Sequence, residues 1–263
     1  MNRDRLKELA NEERFITGIY NYCDRWCERC PQTSRCLNFS ISEEKFRDPE
    51  THDIQNEAFW RKLSELFRET LELLQETGKK WGIDLKTLDL EKAEENIAAK
   101  KEAAVNHVVY RAAESYGRIV DDWFRENGAF FSFGTIAVAG AEVAIEEALE
   151  VIRWYQYFIA AKVMRAIRGK AEDEGEEGDE FPRDPDGSAK VALIAIDRSI
   201  GAWGVIPQYN RFYAEGVFEV VSLLKLLRQA IEETFPRARA FIRPGFDSLD
   251  LNGQEVPPTP PII

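Results

Sequence analysis

The chain has 263 residues and a mass of 30.2 kDa, and its 44% of hydrophobic residues can bury a core without disulfide staples. Against 35 basic side chains stand 47 acidic ones, a net charge of −12, which opposes general binding to nucleic acid or to anionic membrane, since both draw on cationic patches. Only two histidines are present, so catalysis would have to lean on carboxylates, arginine or a cofactor.

The N-terminal Met1-Asn-Arg-Asp-Arg-Leu lacks the apolar run of a signal peptide, and no apolar stretch reaches the roughly 18 residues that span a bilayer. A cytoplasmic protein with reduced thiols is therefore expected. Leu6, Leu9, Phe15, Ile16, Ile19, Tyr20 and Trp26 recur at steps of three and four, predicting a helix over 2–30 that ends before Pro31. All four cysteines of the protein, Cys23, Cys27, Cys30 and Cys36, straddle that helix end.

A polar loop with His52 precedes a predicted helix over 54–77, whose buried stripe would be Phe59, Leu63, Leu66, Phe67, Leu71 and Leu74. A longer helix is expected from Asp89 to Asn127-Gly128, beginning with an Ala/Glu/Lys-rich third. From Ala129 to Gly169 the residues are apolar on most faces, which predicts a helix in the middle of a domain. An acidic surface loop over 169–188 follows, with seven carboxylates among residues 171–180.

A second central helix is predicted over 188–206, stopped by Pro207, and a last one over 209–235, stopped by Pro236. Pro257 to Pro261 make 251–263 an extended, proline-rich tail. No period-2 strand, sustained heptad or internal repeat is evident. The fold expected is an all-α, irregular multi-helix bundle: an N-terminal cysteine-bearing helix and loop over 1–53 packed on a helical body over 54–250, followed by the tail.

The cysteine spacing, Cys-x3-Cys-x2-Cys-x5-Cys, differs from the paired knuckles of zinc ribbons and from the ferredoxin run. On a helix, Cys23, Cys27 and Cys30 share one face, and the chain after Pro31 would fold Cys36 back onto it. Cys23 and Cys30 would then be roughly 10 Å apart along the axis, whereas one zinc holds its sulfurs within about 4 Å of one another. A [4Fe–4S] cluster, being larger, suits that face better, and Arg25, Arg29 and Arg35 would offset its negative charge. Zinc, or no metal with the thiols simply packed, remain the alternatives.

The first three cysteines also share the spacing by which radical S-adenosylmethionine enzymes hold a cluster with one open iron. That family resembles a β/α barrel. This chain offers helices, and Cys36 would occupy the open iron, so it is not assigned there.

Elsewhere the chemistry is sparse. No Walker loop, Gly-x-Gly-x-x-Gly, Gly-x-Ser-x-Gly elbow or His-Glu-x-x-His occurs. His107 has Ala104 three residues before it, so the Glu-x-x-His pairs of di-iron bundles are missing, and a satisfied boundary histidine is expected there. Glu142, Glu146 and Glu150 follow one helical stripe, read as a solvated face. Asp197 and Arg198 sit in a helix otherwise apolar nearly all round, where a buried charge needs a partner. A candidate core polar network follows, joining Asp197 to Arg153 or Arg165 and Arg198 to Glu146 or Glu150.

The functional expectation is a cytosolic iron–sulfur helical protein with a redox, electron-transfer or cluster-anchoring role and a redox or protein partner. The alternative is a non-enzymatic helical interaction protein with a structural four-cysteine zinc site or no metal.

Overall fold

The computed structural model describes residues 3–51, 53–82, 90–132, 141–173 and 183–247, and these are helical, with no strand among them. His52, most of the acidic loop and the proline-rich tail lie outside the described residues. The chain divides into two compact units, Met1–Glu95 and Asn96–Ile263.

In the first unit, α1 covers only Arg3–Ala10, α2 Leu37–Lys45 and α3 Glu57–Lys80. The helix expected over 2–30 ends twenty residues early. Gly18 (φ 75°) and Arg25 (φ 61°) take left-handed backbone, which no α-helix passes through. Helix α2 escapes the sequence reading because Asn38, Ser40 and Ser42 favour turns over helix, leaving a weak signal.

Asn56 caps α3 by accepting the Ala58 N–H at 2.9 Å. Ion pairs link the three helices: Arg5 to Glu44 at 3.4 Å, Lys7 to Glu76 at 3.7 Å, and the buried Lys45 ammonium to Glu69. Contrary to the buried stripe expected on α3, Phe67, Leu71 and Leu74 are 66%, 54% and 57% exposed.

Helix α4 (Leu90–Asn106), whose first residues still belong to the first unit, and α5 (Val108–Ser132) of the second unit replace the single helix expected from Asp89. His107 makes the break: its Nδ1 accepts the Val109 N–H at 3.3 Å, capping α5. Burial, then the charge of Lys170, lowers the His107 pKa, in keeping with a neutral, accepting ring.

The continuous helix expected over 129–169 likewise divides, into α6 (Ala141–Tyr155) and α7 (Phe158–Asp173). At the turn between them the buried Gln156 donates to the Gly117 carbonyl at 2.9 Å and to Asp121, which also takes the Tyr157 hydroxyl. Three polar contacts to α5 therefore fix a bend that hydrophobic spacing does not reveal.

Helix α8 (Asp184–Tyr209) is the axis of this unit. It packs against α6, α7 and α9 (Ala214–Thr234), and buries Val191, Leu193, Ile196, Trp203 and Ile206 on different faces. It starts four residues before the sequence boundary because Pro185 fits the first turn, whose N–H groups lack helical partners anyway. Pro207 lies inside its last turn instead of stopping it. With α7 running to Asp173, the loop expected over 169–188 narrows at both ends.

Trp203 Nε1 donates to the Tyr116 hydroxyl at 3.1 Å, and burial pushes that hydroxyl's pKa up to about 12. Trp123 meets the Trp203 ring edge-on at 5.0 Å. Past α9, Lys190 of α8 holds Asp247 at 2.8 Å and donates to the Phe241 carbonyl at 2.6 Å.

Two tests follow from this packing. A methyl group on Gly117 would sit 2.6 Å from Tyr157 Cε1 and 3.3 Å from the Gln156 carbonyl oxygen. Although alanine is the better helix former, Gly117→Ala is expected to lower stability by about 1 kcal/mol, overpacking outweighing propensity, as read by urea denaturation.

The second concerns acid. Burial alone would raise the Asp247 pKa, but the hydrogen bonds from Arg243 and Lys190 outweigh it and hold the carboxyl down at about 2. The unfolded carboxyl titrates higher, near 3.8, so the unfolded chain takes up the proton first and stability drains away as pH falls between those values. After discounting for solvent screening, about 1 kcal/mol is expected to be lost there, and Asp247→Asn should flatten that part of an acid-unfolding profile.

Candidate metal centre

Between α1 and α2 the chain runs through short 3-10 turns at Ile19–Asn21, Cys27–Arg29 and Thr33–Arg35. Cys23 therefore follows the first turn, Cys27 opens the second, Cys30 closes it, and Cys36 stands at the N-cap of α2. The expected helix face at i, i+4 and i+7 is replaced by a looped path. What closes that path is backbone: the Ile16 N–H donates to the Arg35 carbonyl at 3.1 Å, tying its start to its end.

The loop has its own small core, in which Ile19 and Trp26 are 1% and 6% exposed. Asp24 Oδ1 accepts the Trp26 N–H at 3.2 Å, forming an Asx turn around Arg25. Arg25 is the single non-glycine residue with positive φ among the described residues, a conformation that costs an L-residue about 1 kcal/mol or more. The Arg29 guanidinium lies over the Trp26 ring at 4.3 Å, placing positive charge beside the cysteines.

All four cysteines are free thiols of intermediate burial. Burial is the main cause raising the Cys27 thiol pKa, and next come the charges of Cys23, Cys30 and Cys36. Cys30 is likewise raised, by burial first, with Asp24, Cys23 and Cys36 adding to it while the Gln32 N–H opposes. That N–H donates to Cys30 Sγ at 3.4 Å, and the Cys23 thiol donates to the Tyr20 carbonyl at 3.5 Å. Cys27 and Cys30 thus each lie within electrostatic reach of Cys23 and Cys36.

The four thiols are nevertheless not gathered tightly. Among the described residues no three His, Cys, Asp or Glu side chains form a group that would hold one metal ion. Cysteine thiolates are donors that both zinc and iron–sulfur clusters take. Cys36 has a further asset. No side chain caps α2, so the positive end of the helix dipole faces the residue that would carry a thiolate.

The second group of candidate residues resolves differently. Asp197 pairs with Arg228 at 3.1 Å and Arg239 at 2.8 Å, not with Arg153 or Arg165, and Arg239 also holds Glu232 at 2.8 Å. Arg165 pairs with Asp184 at 2.9 Å, and Arg153 stacks over the Phe124 ring at 3.8 Å. Exposed Arg198 donates to the buried Tyr155 hydroxyl at 2.5 Å. Glu146 and Glu150 are exposed, as a solvated stripe would be; the side chain of Glu142 is not described. Asp197 is half-buried, so for that carboxylate a clasp between α8, α9 and the 3-10 turn at Ala238–Ala240 stands where pairing with Arg153 or Arg165 was expected.

Compared with protein-family models, curated proteins and solved structures, the chain matches none significantly. The site is therefore read from its own residues. Sequence reasoning found the four thiols but missed Trp26 as the loop's core and the Ile16–Arg35 closure. The Asp24-x-Trp26 Asx turn was a signal that could have argued against helix through the cysteines.

Arg25 gives a direct test of the loop geometry. Arg25→Val, β-branched at positive φ, is expected to destabilise the first unit by about 1–2 kcal/mol, whereas Arg25→Gly should be neutral or stabilising, measured by denaturant titration monitored through Trp26 and the other tryptophans.

Proposed function

We propose that Cys23, Cys27, Cys30 and Cys36 hold an iron–sulfur cluster of the [4Fe–4S] type, and that the protein is a cytoplasmic redox or cluster-anchoring component. The observation that carries this reading is the arrangement of the thiols. All four lie in one short looped segment that carries every cysteine of the protein, and Cys27 and Cys30 are each within electrostatic reach of Cys23 and Cys36. When bound, such a cluster supplies exchange of single electrons.

The chain's own residues have definite tasks in this reading. The four cysteines give up their protons and bind as thiolates, against the raised pKa values of Cys27 and Cys30, so loading is favoured as pH rises. Arg29, stacked on Trp26, and the N-terminus of α2 offset the added negative charge. The Gln32 N–H on Cys30 Sγ withdraws charge from that sulfur, a lever on reduction potential. Buried Trp26 and Ile19 keep water from one side of the loop. The partner in this reading is a second redox protein. Among the described residues no helix is long and apolar enough to cross a membrane.

Protein purified without oxygen is expected to be brown, with broad absorbance near 400 nm and about four irons per chain. Cys27→Ser should abolish the colour while leaving far-ultraviolet circular dichroism nearly unchanged, since the bundle around α8 does not depend on the thiols. Colourless protein carrying one zinc per chain, or no metal, would instead establish the structural alternative.

A further inference from the structure

Unit one has a second concave feature, and it owes nothing to the cysteine sulfurs. A cleft of about 550 Å³ opens between α1, α2 and the 3-10 turn at Thr33–Arg35, within the size range of small-molecule sites. Leu9, which is buried, Phe39 and Phe46 give it an apolar floor, and Arg5, Arg14 and Arg47 bring three guanidinium groups to its walls. Thr33, Ser34 and Ser40 contribute three hydroxyls.

The charges are not equivalent. Glu44 pairs with Arg5 at 3.4 Å, and Glu8 and Glu12 pair with the same guanidinium, so Arg5 is held in place rather than offered. Glu12 pairs with Nε of Arg14 at 2.6 Å and the Arg14 guanidinium stacks over the Phe15 ring at 4.4 Å, which leaves the edge carrying its terminal NH2 groups without an ion pair among the described residues. Arg47 makes no ion pair among the described residues, although it lines the cleft and reaches solvent. Two carboxylates line the cleft: Glu44 is paired with Arg5, and Glu43 works against an anion. To the cations is added the N-terminus of α2, uncapped by any side chain, with Phe39 of its first turn in the lining.

We propose that this cleft binds a small phosphomonoester: its dianion met by Arg14, Arg47 and the Thr33, Ser34 and Ser40 hydroxyls, its apolar body laid on Leu9, Phe39 and Phe46. Guanidinium pairs match phosphate oxygens two at a time, and hydroxyls donate to the remainder. The apolar floor distinguishes an organic phosphate from the bare ion. Because Thr33 and Ser34 lie between Cys30 and Cys36, an occupant would touch the same loop that carries the thiols, but its binding does not require them to hold anything.

Titration calorimetry of the full-length protein with phenyl phosphate is expected to give saturable binding, at least tenfold tighter than inorganic phosphate. Arg47→Gln, which removes no internal ion pair, should weaken it about tenfold, and Arg14→Gln/Arg47→Gln about a hundredfold, with circular dichroism unchanged. Arg211→Gln on the exposed surface of the second unit should have no effect. Cys27→Ser should bind phenyl phosphate within threefold of the wild type whether or not iron is present, which separates this proposal from the cluster reading. No saturable heat with phenyl phosphate, or equal binding by wild type and Arg47→Gln, would overturn it.

Discussion

A helix that is apolar on nearly every side can be stable in water only if other helices cover those sides, and α8 imposes that demand on the second unit. Its Ser188, Ala192, Ile196 and Ser199 are buried as fully as its Leu193 and Trp203, so α6, α7 and α9 are placed by what α8 needs covered. The small residues let neighbouring backbones approach, and Trp203 fills the wider space toward α5, where Tyr116 satisfies its N–H. At about 25 cal/mol per Å² of apolar area removed from water, covering those sides contributes substantially to the stability of the unit. At its polar edge, arginines of α9 and the following turn close over the Asp197 carboxylate.

The first unit obeys a different logic. Its helices carry little apolar surface inward; α3 leaves Phe67, Leu71 and Leu74 largely uncovered, and charged links such as Lys45–Glu69 join its elements. What order it has around the cysteines comes from turns: left-handed backbone at Gly18 and Arg25, the Asp24 turn, and Trp26 packed beneath Arg29. A segment built this way gives its thiols positions that a regular helix would not. It also carries conformational strain at Arg25, a cost that persists in folded proteins where the surroundings over-determine the backbone.

The all-α class and the central placement of α8 were legible because each rests on periodicity. The breaks were not. The His107 cap and the Gln156–Asp121 clasp interrupt what looks like continuous helix, and both depend on partners that sequence does not pair: a backbone N–H in one case and a helix 35 residues earlier in the other. At the candidate site the four cysteines were plain, but their arrangement was misread, because steps of three and four also occur by chance in an aromatic-rich stretch. For Asp197, the search for a partner was sound and its answer, Arg228 and Arg239, lay in elements whose proximity only the fold reveals.

The hydrogen bond from Ile16 to Arg35 bears on when the thiol site can come into being. It closes a short stretch of chain, and the entropy of such closure grows only with the logarithm of length, so the loop needs no distant contact to draw its ends together. Every cysteine and the Trp26 packing lie in the first 36 residues. During synthesis, this segment leaves the ribosome long before α8 exists, and N-terminal regions fold first when their contacts are local. Under the proposed reading, loading of a cluster would belong to the early life of the chain, while the helical body is still being made.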